Sequence, residues 1–150
     1  MSKKSVIAIA VFDNNKVKGT VKFTANPENS IVIIDVNIKG LKPNSLHDFH
    51  IHEAGDLTDN CTSMCAHFNP YGKNHGCPGL KERHVGDLGN IVTNGKGEAK
   101  YVFYDDMIKL RGTKCNIIGR GLIIHEDEDD CEGDKEEDKP KDEDEDEDED

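Results

Sequence analysis

The sequence has no long hydrophobic run and almost no helical periodicity. No apolar stretch approaches the roughly 20 residues that a transmembrane helix requires, so we predict no membrane-spanning segment. No long segment repeats apolar residues three and four apart, which argues against a helical protein. The apolar N-terminal stretch resembles a secretion signal, but it is short, no cleavage site follows it, and a strand over Ser5 to Phe12 accounts for it. We therefore expect a cytoplasmic protein whose five cysteines start out mostly as thiols.

Acidic and basic residues are unevenly distributed along the 150 residues. The net charge is −12, but residues 126–150 contain 19 Asp and Glu against 3 Lys, which leaves residues 1–125 mildly basic. Hydrophobic residues vanish after His125, so the last segment cannot offset the entropy of ordering. We predict one folded domain over residues 1–125 and an acidic disordered tail over residues 126–150, with no nucleic-acid partner.

Short β-branched runs separated by turn residues predict an antiparallel all-β fold. The predicted strands cover Ser5 to Phe12, Val17 to Thr24, Ile31 to Lys39, Leu46 to His52, Gly89 to Thr93, Glu98 to Tyr104 and Ile118 to His125. The segment from Glu53 to Gly86 has little strand character and many Gly, Asn, His and Cys residues. A loop of that length inside a compact domain is usually functional or disordered, and its histidines favour function.

Six histidines and one aspartate stand near loops or strand ends. His50 and His52 lie two residues apart in a predicted strand, so both imidazoles project from one face. The others are His67, His75, His84, Asp87 and His125. Imidazole suits copper and zinc, and three imidazoles with one carboxylate suit tetrahedral zinc. On histidine content alone, metal binding and ordinary hydrogen-bonded histidines are about equally supported.

Several short motifs, in order, resemble the copper-zinc superoxide dismutase family. They are Phe49-His50-Ile51-His52-Glu53, Gly55-Asp56, Cys61-Thr62-Ser63, His67-Phe68-Asn69-Pro70, Arg83-His84-Val85-Gly86-Asp87-Leu88-Gly89-Asn90, and Ile118-Gly119-Arg120 through His125-Glu126. The resemblance covers Ser5 to Asp130. It implies an immunoglobulin-like Greek-key β-sandwich, or flattened barrel, with a long metal-binding loop.

The resemblance also implies a ligand set for each metal. The copper ligands correspond to His50, His52, His67 and His125, and the zinc ligands correspond to His67, His75, His84 and Asp87. His67 would therefore bridge the two metals. Asp129 aligns with a carboxylate that links a copper histidine to a zinc histidine, and His47 aligns with a histidine that packs structurally.

The implied activity is the conversion of superoxide to dioxygen and hydrogen peroxide by copper redox cycling. Zinc would be structural, and His67 would take up a proton during turnover. The resemblance further implies a homodimer, with contacts near Gly55 and Ile118-Gly119, and a copper chaperone as a partner.

The sequence departs from the family pattern after His125 and at several single positions before it. After His125 the family continues into an eighth strand with a substrate-guiding arginine and a disulfide cysteine, but no arginine follows Arg120 here. We therefore expect slower turnover. Cys61 lacks its usual partner; Cys131 could substitute for it, but we expect free thiols. Asp48 stands where a glycine is usual. Cys65 and Cys77 lie beside ligand positions and are expected to be reduced thiols, and Arg83 is expected to pair with loop carboxylates.

Two other functions remain open from the sequence. The missing strand and arginine suit a non-catalytic, dismutase-like decoy that holds metal or engages the partners of a true dismutase. A purely structural zinc-stabilised domain would take up zinc and no copper. The four imidazoles at the copper positions favour the enzyme, because a structural site needs only the zinc half.

Overall fold

Seven antiparallel strands form the fold in a computed structural model that describes residues 5–26, 31–58, 64, 66–78 and 83–125. The strands are β1 (Val6–Asp13), β2 (Lys18–Ala25), β3 (Val32–Lys39), β4 (Leu46–His52), β5 (Asp87–Val92), β6 (Ala99–Asp105) and β7 (Gly121–Ile124). Each corresponds to a predicted strand, and β7 is shorter than expected. Within the described ranges no helix forms, and none is therefore long and apolar enough to cross a membrane.

The strands are arranged in two sheets. One has the order β1-β2-β3-β6 and the other has the order β5-β4-β7. The strands β3 and β6 are neighbours although two strands separate them along the chain, and the same is true of β4 and β7. This order is consistent with a Greek-key sandwich, so the all-β sandwich prediction is confirmed.

Side-chain alternation along the strands builds the core between the sheets. In β3, every second residue is buried, and these residues are Val32, Ile34, Val36 and Ile38. Phe49 of β4 meets Phe103 of β6 edge to face, with ring centroids 6.3 Å apart. The inner face of β4 therefore packs in the core between the two sheets.

The long loop pairs with the end of β4 through backbone hydrogen bonds, and the last residues on both faces of this strand are buried. Phe68 donates its backbone N–H to Ile51 O at 2.8 Å, and Gly86 donates to Phe68 O at 2.9 Å. Gly86 must lack a side chain, because a Cβ there would lie 2.4 Å from Ile51 O. An isolated bridge pairs His52 with His67. The loop is thus fixed to the strand that carries two of the predicted metal ligands.

A buried ion pair ties the end of the loop to the larger sheet. Both Arg83 and Asp105 are almost fully buried, and their side chains form two hydrogen bonds of 2.7 and 3.3 Å. Arg83 also donates to the backbone oxygens of His84 and Val85. The expected carboxylate partner of Arg83 is therefore at the end of strand β6 and not in a loop.

Cysteine pairing differs from the prediction at one position. Cys77 is disulfide-bonded, so the expectation of a reduced thiol there is wrong. Cys115 is buried and free, so the partner of Cys77 lies outside the described residues. Motif spacing does not determine which cysteines meet, because the loop path that brings them together depends on the whole fold. The predictions for Cys61, Cys65, Asp129 and the 126–150 tail also fall outside the described residues.

Candidate metal centre

Two groups of potential metal ligands form beside the outer face of β4. The three-histidine cluster consists of His50, His52 and His125, and the four-ligand cluster consists of His67, His75, His84 and Asp87. In each cluster the ligand atoms lie within 4.8 Å of one another. All seven residues predicted as metal ligands are therefore brought together in these two clusters.

Strand geometry builds the three-histidine cluster. His50 and His52 share the outer face of β4, while Phe49 and Ile51 point into the core. His125 directly follows β7, which pairs with β4, and its N–H donates to Asp48 O at 2.8 Å. The ring centroid of His50 lies 4.7 Å from that of His52 and 4.8 Å from that of His125.

Burial keeps His50 in the form that binds metals. Its pKa is lowered well below the usual value by burial and then by the neighbouring His67, His52 and His125. The imidazole is therefore neutral. Its Nδ1 is buried and has no hydrogen-bond partner among the described residues. A buried nitrogen in that state is costly unless something binds it, so the position fits a metal.

Asp87 organises the four-ligand cluster. Its carboxylate lies 3.0 Å from Nδ1 of His67, 3.0 Å from Nδ1 of His75 and 3.3 Å from Nδ1 of His84. The backbone N–H groups of Gly76 and His84 also donate to it, at 3.0 and 2.8 Å. Burial alone would raise the pKa of Asp87, but hydrogen bonds from the three histidines outweigh burial and lower it.

This donor set matches a tetrahedral zinc shell. Three imidazole nitrogens and one ionised carboxylate converge, with the carboxylate kept charged. Asp87 begins β5, whose pairing with β4 fixes its position, and the Arg83–Asp105 ion pair holds the adjoining His84.

His67 belongs to the four-ligand cluster and lies beside the three-histidine cluster. Its Nδ1 faces the four-ligand cluster, 3.0 Å from Asp87 and 3.2 Å from Nδ1 of His84. Its ring stacks on His50 with centroids 3.8 Å apart and lies 5.0 Å from the ring of His52. The two nitrogens of an imidazole lie on different sides of the ring, so a His67 whose Nδ1 faces the four-ligand cluster keeps Nε2 away from it.

His47 lies outside both clusters. It is buried, and its ring nitrogens lie 2.9 Å from His125 O and 3.2 Å from Lys42 O. These contacts join the start of β4 to the end of β7. The geometry is that of a structural histidine.

Reasoning from the sequence missed one side chain at the site. The Asp48 carboxylate lies 3.2 Å from Nε2 of His50. The spacing contained the signal, because Asp48 precedes His50 by two residues in a strand and so shares its face. The sequence also gave no indication that Gly76 and His84 donate backbone N–H groups to Asp87.

Known proteins resemble this chain over most of its described length. The sequence model of the family described as copper/zinc superoxide dismutase (SODC) matches residues 17–146. A "Superoxide dismutase [Cu-Zn]" of Paramecium bursaria Chlorella virus 1 is 64% identical over 127 residues, which cover 85% of this chain and 66% of that relative. A protein of the same name from Yarrowia lipolytica is 49% identical, over 83% of this chain and 81% of the relative.

A solved structure agrees with these sequence matches. The crystal structure of the clock protein EA4 superimposes with a TM-score of 0.78 at 41% identity, covering 83% of this chain and 78% of that one. This chain spans just under two thirds of the viral relative's length and about four fifths of the fungal relative's.

Proposed function

This chain belongs to the copper/zinc superoxide dismutase family, and from that membership we propose that it converts two superoxide radicals and two protons to dioxygen and hydrogen peroxide. The resemblance seen in the sequence is therefore confirmed, and the family implies copper and zinc as cofactors. The observation that carries the activity is the position of His67, which stacks on His50 while its Nδ1 lies among the zinc-type ligands.

We assign copper to the three-histidine cluster together with His67, and zinc to the four-ligand cluster. The orphaned Nδ1 of His50 supports the first assignment, and the Asp87 carboxylate with three imidazoles supports the second. When bound, copper supplies one-electron redox chemistry, whereas zinc has no redox chemistry and holds the loop.

The protein's own residues hold the His67 ring in position and provide a nitrogen that can carry a proton. Asp87 and the four-ligand cluster fix Nδ1 of His67, which leaves Nε2 as the atom that can carry a proton to the peroxide product. The His67 side chain is 26% exposed and His125 is half-buried. A small anion can therefore approach this edge of the site, while His50 stays buried.

The homodimer and the copper chaperone belong to the same proposal. Ile7, Ile9 and Ile118 line one surface concavity and are 53 to 59% exposed, so they form an exposed apolar patch. It supports self-association, because contiguous apolar surface commonly marks an interface. Replacing Ile118 with lysine is expected to shift sedimentation toward monomer. The proposed copper chaperone is tested by measuring the copper content of this protein in cells with and without such a chaperone.

We also propose a cytoplasmic location and a division into a 1–125 domain and a 126–150 tail. The apolar N-terminal stretch is strand β1, which supports its belonging to the fold. The disulfide at Cys77 is evidence against a cytoplasmic location, because persistent disulfides are rare in the cytosol. Alkylation of thiols in intact cells, followed by mass spectrometry, tests the location through the redox state of Cys77.

Superoxide decay in stopped flow tests the activity. The full chain, reconstituted with copper and zinc, is compared with His125→Ala and with the metal-free protein. Fast decay that the substitution abolishes supports a dismutase. Decay at the rate of buffer alone, with both metals bound in stoichiometric amounts, would mean a metal-binding protein without this activity.

A further inference from the structure

Asp48 contacts two of the proposed copper ligands by two different groups. Its side-chain Oδ2 lies 3.2 Å from Nε2 of His50. Its backbone oxygen accepts the N–H of His125 at 2.8 Å. The residue therefore joins β4 to the end of β7 at the three-histidine cluster, although it is not itself one of the converging ligands.

The local strand geometry presents this carboxylate to the site. Asp48 and His50 lie on the same face of β4, and the register shifts between them: Asp48 pairs with Asn90, and His50 pairs with Asp87. One extra residue is thus accommodated on β5, where Gly89 adopts a φ of +86°. The side chain of Asp48 is 20% exposed, so its charge is only partly screened by water.

The two nitrogens of His50 have opposite surroundings. Nε2 faces the Asp48 carboxylate, while the buried Nδ1 has no hydrogen-bond partner among the described residues. A carboxylate accepts a hydrogen bond and cannot donate one, so the proton belongs on Nε2 and the lone pair on Nδ1. A carboxylate in this position fixes the ring and makes the ligating nitrogen more basic.

We propose that Asp48 is a positioning residue for copper, which holds His50 with Nδ1 free to bind and adds a negative charge that favours copper(II) over copper(I). This inference rests on the proposed assignment of copper to the three-histidine cluster. It gives a function to the residue that stands where the family resemblance predicts a glycine. A glycine would keep the backbone bond to His125 but lose the contact with His50.

The test measures copper affinity directly and does not depend on activity. Zinc-loaded full-length protein is titrated with copper(II) and copper(I) against competing chelators for the wild type, Asp48→Asn, Asp48→Gly and Asp48→Glu. Asp48→Asn and Asp48→Gly are expected to weaken copper(II) binding by about 10- to 100-fold. Copper(I) binding should weaken less, zinc binding should be unchanged, and Asp48→Glu should recover part of the loss. Asp35→Asn, a half-buried carboxylate in β3 of the other sheet, is the matched control and should change neither affinity.

Two results would overturn the inference. One is a copper(II) affinity of Asp48→Asn within about twofold of the wild type. The other is an equal loss of copper(II), copper(I) and zinc affinity, which would show that Asp48 only maintains packing. If the wild type binds copper but has no dismutase activity, the proposed function fails while the affinities still decide the role of Asp48.

Discussion

The Arg83–Asp105 ion pair should be among the most sensitive points of the fold. Arg83 is 2% exposed and Asp105 is 5% exposed. Replacing Arg83 with methionine keeps most of the side-chain volume but leaves Asp105 buried without its cation. Breaking a buried pair in this way costs about 3 to 5 kcal/mol. Asp105 retains the backbone N–H groups of Met107 and Ile108, which places the expected loss near the lower end.

The loss is measurable by thermal unfolding of the metal-free protein. For a chain of this size, each kcal/mol lowers Tm by roughly 2 to 4 °C, so Arg83→Met should unfold about 6 to 12 °C lower than the wild type. A double-mutant cycle with Asp105→Asn should give a coupling free energy above about 1 kcal/mol. The exposed Lys22→Met serves as the control and should change stability by no more than about 0.5 kcal/mol. A coupling free energy near zero would refute the reasoning.

Two further predictions concern the loop and the buried histidine. Gly86→Ala should destabilise the fold by about 1 to 3 kcal/mol and weaken zinc binding. The reason is that the new Cβ would lie 2.4 Å from Ile51 O and 3.1 Å from Cβ of Phe68. A variant with the stability and zinc affinity of the wild type would contradict this prediction. In the metal-free protein, the pKa of His50 is lower in the folded state than in the unfolded state, so below about pH 6.5 the unfolded chain binds a proton at His50 that the folded protein does not. The free energy of unfolding should therefore fall as the pH drops below about 6.5, by up to about 1.4 kcal/mol per pH unit. Chemical denaturation across pH 5 to 8 should show this slope, and His50→Gln should reduce it; an equal slope in both proteins would assign the protons elsewhere.

Much of the fold could be predicted because local signals and tertiary structure agree. Each predicted strand is present, since its alternation of apolar residues matches the burial that the sandwich requires. The start of β7 was less predictable. Its predicted start at Ile118 lies in a turn, because hydrogen bonds such as that from Arg120 N–H to Ile117 O replace strand pairing there.

The ligand residues could be identified from order and spacing, but their supporting contacts could not. The Asp48 contact depends on a register shift in β4 and β5, and the partner of Arg83 is 22 residues away in the chain. The disulfide at Cys77 likewise depends on the path of the loop. Such contacts arise from tertiary geometry and leave little pattern in neighbouring residues.

The central claim is that His67 joins the two clusters into one site for two metals. The most direct test is the electron paramagnetic resonance spectrum of the copper(II) protein, recorded with zinc bound and after selective removal of zinc, for the wild type and for His67→Gln. If His67 is shared, removing zinc should alter the histidine-ligated copper signal of the wild type, and the substitution should make the spectrum insensitive to zinc. An identical wild-type spectrum with and without zinc would contradict the account.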